Sequence, residues 1–227
     1  MDKLTVFAIF ASAAMLLSFA LFIDTTSWWI RSLASQNNVG LYISRSNIYL
    51  YGGRFFSLAF VIVVSFAVES GFSTADIALC CFLTFTLCTI LQSICVAPNF
   101  KSGIIIKTLS RALVLPSKIQ CETINTAYFF NGRLFYSTMF ATFIFSLGSG
   151  APLLLASIYI DYRLSMANIG QLINSLGMLA ILFFVDQSLF RSLDSGLITI
   201  DIKTYTYGRV CGFFLSALLY FLIFWAL

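Results

Sequence analysis

The sequence contains no histidine, the residue that most often exchanges protons near neutral pH. This absence also removes the usual haem ligand and most zinc-binding patterns. A DDxxD motif, a P-loop and a GxGxxG turn before a helix are missing as well. These absences argue against a polyprenyl transferase, an intramembrane protease of the Ser-His type and ATP-driven transport. We therefore expect a protein that is not an enzyme, with no catalytic residues, cofactor or metal.

Charge is also scarce, since only 10% of the residues are charged and 60% are hydrophobic. Soluble domains carry about 25% charged residues, so this composition indicates a membrane protein. No basic stretch with interleaved aromatic residues occurs, and a nucleic-acid partner is not expected. The composition predicts an all-α, polytopic integral membrane protein that forms a single transmembrane domain over residues 1–227.

Six apolar stretches are long enough to cross a bilayer, which takes about 20 residues. The first is expected to be a retained span rather than a cleaved signal peptide, because it is long and has little charge before it. The fourth contains Gly148–Pro152, for which a kink is favoured over a tight turn. The predicted spans are about Leu4–Ile23, Asn47–Val68, Thr74–Val96, Leu134–Ile160, Leu164–Val185 and Tyr205–Leu227.

Lysine and arginine are unevenly distributed between the connections, and this asymmetry predicts orientation. The termini and the even connections hold only Lys3 and Arg163. We therefore expect cytoplasmic odd connections and both termini on the outer side. The odd connections hold Arg31, Arg45, Lys101, Lys107, Arg111, Lys118, Arg133, Arg191 and Lys203.

The longest connection contains Ile104–Leu115, in which Lys107 and Arg111 are four residues apart among apolar residues. This pattern is typical of a short basic amphipathic helix on the inner leaflet. A plain solvated loop is an equally good interpretation.

Four charged residues fall at similar depths on the predicted cytoplasmic side. Arg54 lies seven residues into span two, about 10 Å deep at 1.5 Å per residue. Arg209 lies near the start of span six, and Asp24 and Asp186 end spans one and five. A charge inside a membrane usually has a partner or a ligand. These residues predict a polar cavity open to the cytoplasmic side, with the acids pairing the arginines when it is empty.

Simpler interpretations exist for each of these groups. An arginine near a span end can extend back to the interface, and an aspartate there can be an ordinary polar helix end. Asn47 at the start of span two and Asn168, Gln171 and Asn174 in span five could bind sugar hydroxyls or join helices. Close approach of another backbone is permitted by two glycine pairs, Gly52-Gly53 and the Gly208 and Gly212 of a GxxxG pattern.

Candidate hinges are Gly148, Pro152 and the pair Gly52-Gly53.

Two blocks of residues resemble the Amj family of lipid II flippases. The chain departs from that family in having Asp24 in place of glutamate, Gln187 in place of proline, and a shorter central loop. The first block has Asp24-Thr25, Trp28, Arg31, Asn47-Ile48 and Arg54, and the second has Ile173-Asn174, Val185-Asp186, Asp194, Gly196, Arg209 and Gly212.

The resemblance implies translocation of an undecaprenyl-pyrophosphate-linked precursor across the bacterial inner membrane. Its partners would be that lipid-linked glycan and the surrounding membrane lipids. The substrate-binding residues would be Arg54, Arg209, Asp24, Asp186, Arg31, Asn47 and Asn174. The alternatives are a flippase for another polyprenyl-linked glycan, a transporter or channel for a small anion, and a non-catalytic subunit of a membrane complex.

Overall fold

The computed structural model describes residues 3–34, 38–97, 100, 103–115, 131–195 and 198–227, and no strand occurs among them. A 3-10 turn, Ile160–Tyr162, precedes α6, and a π-helical turn, Ile181–Asp186, joins α6 to α7. The α-helices in these ranges are α1 Lys3–Arg31, α2 Val39–Glu69, α3 Thr74–Val96, α4 Ile104–Ala112, α5 Gly132–Ile158, α6 Arg163–Ala180, α7 Gln187–Asp194 and α8 Ile198–Ala226.

Six helical segments are long and apolar enough to cross a membrane, which confirms a polytopic all-α membrane protein. Five of them are α1, α2, α3, α5 and α8, and α6, the π turn and α7 share the sixth, Asn168–Asp194. Residues 101, 118 and 196, which the sequence interpretation used, lie outside the described residues, as does the side chain of Gln171.

The predicted spans were too short at the end of the molecule that carries the arginines. Helix α1 continues past Ile23 to Arg31, and α2 begins at Val39 rather than at Asn47. Hydropathy marks where side chains become polar, whereas a helix continues as long as its backbone hydrogen bonds persist. The additional turns therefore carry polar side chains on helical backbone.

Helix α5 runs without interruption through Gly148–Pro152. The alternative of a tight turn at this point is therefore wrong. A short connection does occur between α2 and α3, where Gly71 has a φ of 81° that favours glycine. The next helix is fixed by a capping box, in which Ser73 Oγ accepts from the Asp76 amide at 3.1 Å.

Helix α4 confirms the amphipathic interpretation of the central connection over most of its predicted length. Ile106 and Ser110 are buried, while Lys107 and Arg111 are exposed. The helix ends at Ala112, earlier than predicted, because Val114 adopts a left-handed backbone conformation with a φ of 53°. Contact of this helix with the inner leaflet stays a prediction.

The helices α1, α3, α5 and α8 form the packed centre, while α2 lies mainly on α1 and α6 mainly on α5. Aromatic rings fill part of the contact between α3 and α8. The ring of Phe85 stacks on Tyr220 at 5.4 Å and on Phe213 at 6.3 Å between centroids. The bundle therefore has two outer helices, α2 and α6, each attached chiefly by one side.

Two glycines of α8 allow it to lie directly against α5. A Cβ on Gly208 would lie 2.8 Å from both the Phe135 carbonyl oxygen and Thr138 Cβ. A Cβ on Gly212 would lie 2.8 Å from the Met139 carbonyl oxygen. The close approach predicted from the GxxxG spacing is confirmed.

We expect Gly208→Ala to lower the free energy of unfolding by about 1–3 kcal/mol, because a backbone carbonyl cannot move aside for the added methyl group. Gly52→Ala is the matched control, since no atom lies within 4 Å of a Cβ there. That control should be neutral or stabilising by up to about 1 kcal/mol. Denaturant unfolding of the protein in detergent measures both variants. Equal losses would contradict the close-packing account.

The orientation of the bundle is tested by labelling two exposed positions, Tyr162 and Lys107. We expect an impermeant thiol reagent added outside intact cells to label Tyr162→Cys in a variant lacking the native cysteines. It should label Lys107→Cys only after the membrane is opened, because basic connections stay in the cytoplasm. The opposite pattern would place the arginines at the outer face.

Candidate functional site

A cavity of about 360 Å³ lies among α1, α2, α5, the π turn and α8. Aromatic and aliphatic side chains form much of its wall. Its charged and amide-bearing lining residues are six of the seven predicted from the sequence: Asp24, Arg31, Asn47, Arg54, Asp186 and Arg209.

Helical spacing explains why these residues meet at one place. Seven residues make almost two turns of helix, so Asp24 and Arg31 share one face of α1. Asn47 and Arg54 share one face of α2 by the same spacing. Because α1 packs along α2, these two faces form adjoining walls of the cavity.

Arg209 is paired within the protein. Its Nη1 donates to Asp24 Oδ2, forming an ion pair, and also donates to the Tyr205 hydroxyl at 2.6 Å. The Arg209 side chain is 5% exposed and that of Asp24 is 33% exposed. A buried arginine requires such compensation. Asp24 therefore neutralises most of the positive charge that Arg209 brings to the cavity.

Arg31 is buried but is held by neutral groups. Its Nε donates to Ser46 Oγ at 2.9 Å, and its Nη2 donates to Asn47 Oδ1 at 2.7 Å. The guanidinium lies 4.2 Å from the centre of the Trp28 ring and 5.8 Å from that of Phe190. These contacts fix the side chain, and Asp186 and Asp24 attract its charge only from beyond ion-pair distance.

Arg54 is exposed at the cavity wall, where its guanidinium lies 5.9 Å from the centre of the Tyr51 ring. Among the described residues, no carboxylate lies within 4.0 Å of it. The adjacent Gly53 packs on α1, since a Cβ there would lie 2.9 Å from Ile23 Cγ2, whereas Gly52 faces open space. Of the two glycines, only Gly53 allows α2 to lie close to α1, and Arg54 follows it directly in the chain.

Asp186 is the last residue of the π turn and is half-buried at the cavity wall. Single π turns inside helices are frequent at functional sites. The lining as a whole carries three arginines against two aspartates, and so has one net positive charge. This site can bind an anion through side chains that are already in place.

Asn174 is the predicted site residue that the structure places elsewhere. It lies between α6 and α5, where a Cβ on Gly148 would come within 2.8 Å of the Asn174 backbone nitrogen. Asn168 is also absent from the cavity lining. Asn174 lies about two turns and Asn168 between three and four turns before the π turn, toward the other end of the bundle. The hinge hypothesis for Gly148 stays a prediction, but Gly148→Leu would test packing against Asn174 rather than motion.

The sequence interpretation did not single out Tyr205, Thr138 or Thr142, which also line the cavity. Tyr205 lies four residues before Arg209, on the same helical face, so its spacing was a usable signal. Thr138 and Thr142 are likewise four residues apart on α5 and lie under Gly208 and Gly212. Their position at the cavity could be inferred only once α5 was known to be the helix that packs on Gly208 and Gly212.

The cavity lies beside a gap between the two outer helices. Within the part of the chain that the structure describes, no extended interface joins α2 to α6. Arg54 and Ser57 of α2 line the cavity on one side of this gap, and Met178 of α6 lines it on the other. The two helices meet at one end, where Arg163 Nη2 donates to the Val68 carbonyl oxygen at 3.3 Å, and beyond that contact they border the cavity without an extended interface.

Comparison with known proteins gives no match for this chain, whether against protein families, curated proteins or solved structures.

Proposed function

We propose that this protein translocates a lipid-linked glycan with a pyrophosphate head, such as lipid II, across the bacterial inner membrane. The observation that carries the proposal is Arg54, an exposed arginine without an ion-pair partner among the described residues, on a cavity that both outer helices border. Such a charge inside a membrane indicates a ligand or transport pathway. The protein would act without catalysis.

The head group would bind between Arg54 and Arg31. Arginine suits this role, because its planar guanidinium can donate two parallel hydrogen bonds to phosphate oxygens. Neither guanidinium forms an ion pair among the described residues, whereas that of Arg209 is paired with Asp24. The resemblance implied all three arginines as substrate-binding residues, and this difference favours Arg54 and Arg31 as the phosphate ligands. Asn47 holds Arg31 and also lines the cavity.

The gap between α2 and α6 favours a lipid over a small ion. A polyprenyl chain could remain in the bilayer while its head enters the cavity sideways. A channel for a small anion would instead need a route enclosed by protein. The net positive lining and the lateral opening together support a lipid anion. The resemblance to the Amj family supports lipid II among such lipids, and loading would occur from the cytoplasmic side.

Complementation tests the proposed function. The chain is expressed in bacteria depleted of their essential lipid II flippase, and growth is measured. We expect growth with the unchanged chain and none with Arg54→Ala at equal membrane abundance. Absence of growth with the unchanged, correctly inserted chain would contradict lipid II as the substrate. Growth with both chains would contradict the role of Arg54.

A further inference from the structure

Asp186 differs from Asp24, the other carboxylate of the cavity, because it has no hydrogen-bond or ion-pair partner among the described residues. As far as the structure describes the chain, Asp186 makes no hydrogen bond or ion pair, while Asp24 pairs with Arg209. Both carboxylates line the same cavity inside the membrane. An unpaired carboxylate in such surroundings is costly when ionised and becomes neutral by binding a proton.

The charged groups around Asp186 attract or repel it from a distance, and none of them forms an ion pair with it among the described residues. From α8, Arg209 faces it but is paired with Asp24 and hydrogen-bonded to Tyr205. From α1, the Asp24 carboxylate disfavours a second negative charge, while the guanidinium of Arg31 favours that charge but donates its hydrogen bonds to Ser46 and Asn47. The charged and polar side chains of the other cavity walls are Asn47, Arg54 and Ser57 of α2 and Thr138 and Thr142 of α5.

We propose that Asp186 is a proton-binding site of this cavity, and that it takes up its proton together with the anionic head of the ligand. In the step, hydronium transfers a proton to a carboxylate oxygen of Asp186, so that one O–H bond of hydronium breaks, the O–H bond of the neutral acid forms, and water is released. The lining then changes from one net positive charge to two. A pyrophosphate diester carries about one negative charge on each phosphate, so the protonated cavity matches its charge.

The direction of the linkage follows from charge alone. A bound anion repels the Asp186 carboxylate and favours its protonated form. By reciprocity, protonation strengthens anion binding by the same factor. Where Asp186 titrates, anion affinity should therefore fall with rising pH, by at most about tenfold per pH unit for one proton. The identity of the bound anion rests on the proposed function, whereas the assignment of Asp186 as a proton-binding site does not.

Infrared spectroscopy tests the proton site without any ligand. The full chain is placed in lipid nanodiscs, and the stretching band of the protonated carboxyl group is followed as pH is varied. We expect a band that is lost at high pH, is absent in Asp186→Asn and persists in Asp161→Asn, where the carboxylate is exposed at the opposite end. Asp186→Glu should keep a shifted band, which would show that the band follows the carboxyl group at this position. A band retained in Asp186→Asn, or absent from the unchanged chain at every pH, would overturn the proposal.

Calorimetry tests the linkage with farnesyl pyrophosphate as the probe. Heats are measured in two buffers of different ionisation enthalpy, which gives the number of protons exchanged. Because the terminal phosphate of this monoester also exchanges a proton, the difference between two chains is measured. We expect the unchanged chain to take up more protons per anion than Asp186→Asn, by up to about one. Equal proton uptake in the two chains would overturn the linkage. Absence of binding would contradict the proposed function and the linkage together, and the infrared result would still decide the proton site.

Discussion

Replacing Arg54 with alanine should weaken anion binding by about 10- to 100-fold while the protein stays folded and inserted. A hydrogen bond to a charged group is worth about 1.5–3 kcal/mol, and each 1.4 kcal/mol is about tenfold in affinity. No ion-pair partner of Arg54 is left behind among the described residues, so folding should be unaffected. Binding of farnesyl pyrophosphate to the purified protein measures the change.

Two further variants sharpen this test. Arg45→Ala removes an exposed arginine from the same helix, outside the cavity lining, and should leave binding unchanged. Arg54→Lys keeps the charge but loses the paired donors, so partial binding is expected. Addition of Asp24→Asn to Arg54→Ala should not restore function, because Asp24 pairs with Arg209. Recovery in that double variant would make Arg54 a counter-ion and contradict its role in binding.

Among the substitutions considered, Asp24→Asn should lower the free energy of unfolding most, because it leaves the buried Arg209 without an ion-pair partner. Removing one partner of a buried pair typically costs about 3–5 kcal/mol, and the lower end applies here because Asp24 is 33% exposed. Addition of Arg209→Met should recover most of this loss, since an apolar side chain can replace a buried charge. Unfolding of the single and double variants in detergent measures the effect.

The same variants separate two roles of Arg209. Asp161→Asn, in an exposed turn at the other end, should change stability little. If Arg209 only anchors α8 to α1, the double variant should regain binding together with stability. If Arg209 binds the ligand, as the sequence indicated, stability should return while binding stays weak. A fully stable Asp24→Asn single variant would show that the ion pair contributes nothing.

The membrane spans and the clustering of charged residues at one cavity could be predicted from the sequence, because both depend on regular spacing. Apolar length fixes a span, and a separation of seven residues puts Asp24 with Arg31, and Asn47 with Arg54, on shared faces. The choice of ion-pair partner for Asp24 could not be predicted from the sequence. The sequence did not show which of Arg54 and Arg209 pairs with Asp24, and only the packing of α8 against α3 and α5 brings Arg209, rather than Arg54, to Asp24.

Two features depended on geometry that residue types do not encode. The π turn, Ile181–Asp186, has an apolar sequence that fits an ordinary helix, so its presence follows from packing rather than composition. Asn174 was placed at the site on resemblance and polarity, yet it packs on Gly148. A polar residue on a span has several uses, and the neighbouring helix determines which one applies.

The π turn also determines which changes of chain length this segment can absorb. A π turn closes its hydrogen-bonded ring with one residue more than an α-turn, so loss of one residue returns an α-helical turn and keeps the flanking helices in phase. Deleting one of the exposed residues Leu182, Phe183 or Phe184 should therefore leave Leu189 and Leu193 in the core, whereas an insertion would rotate α7 by about 100° and withdraw them. Substitutions should be tolerated at the three exposed positions, but not at buried Val185 or at Asp186, which lines the cavity.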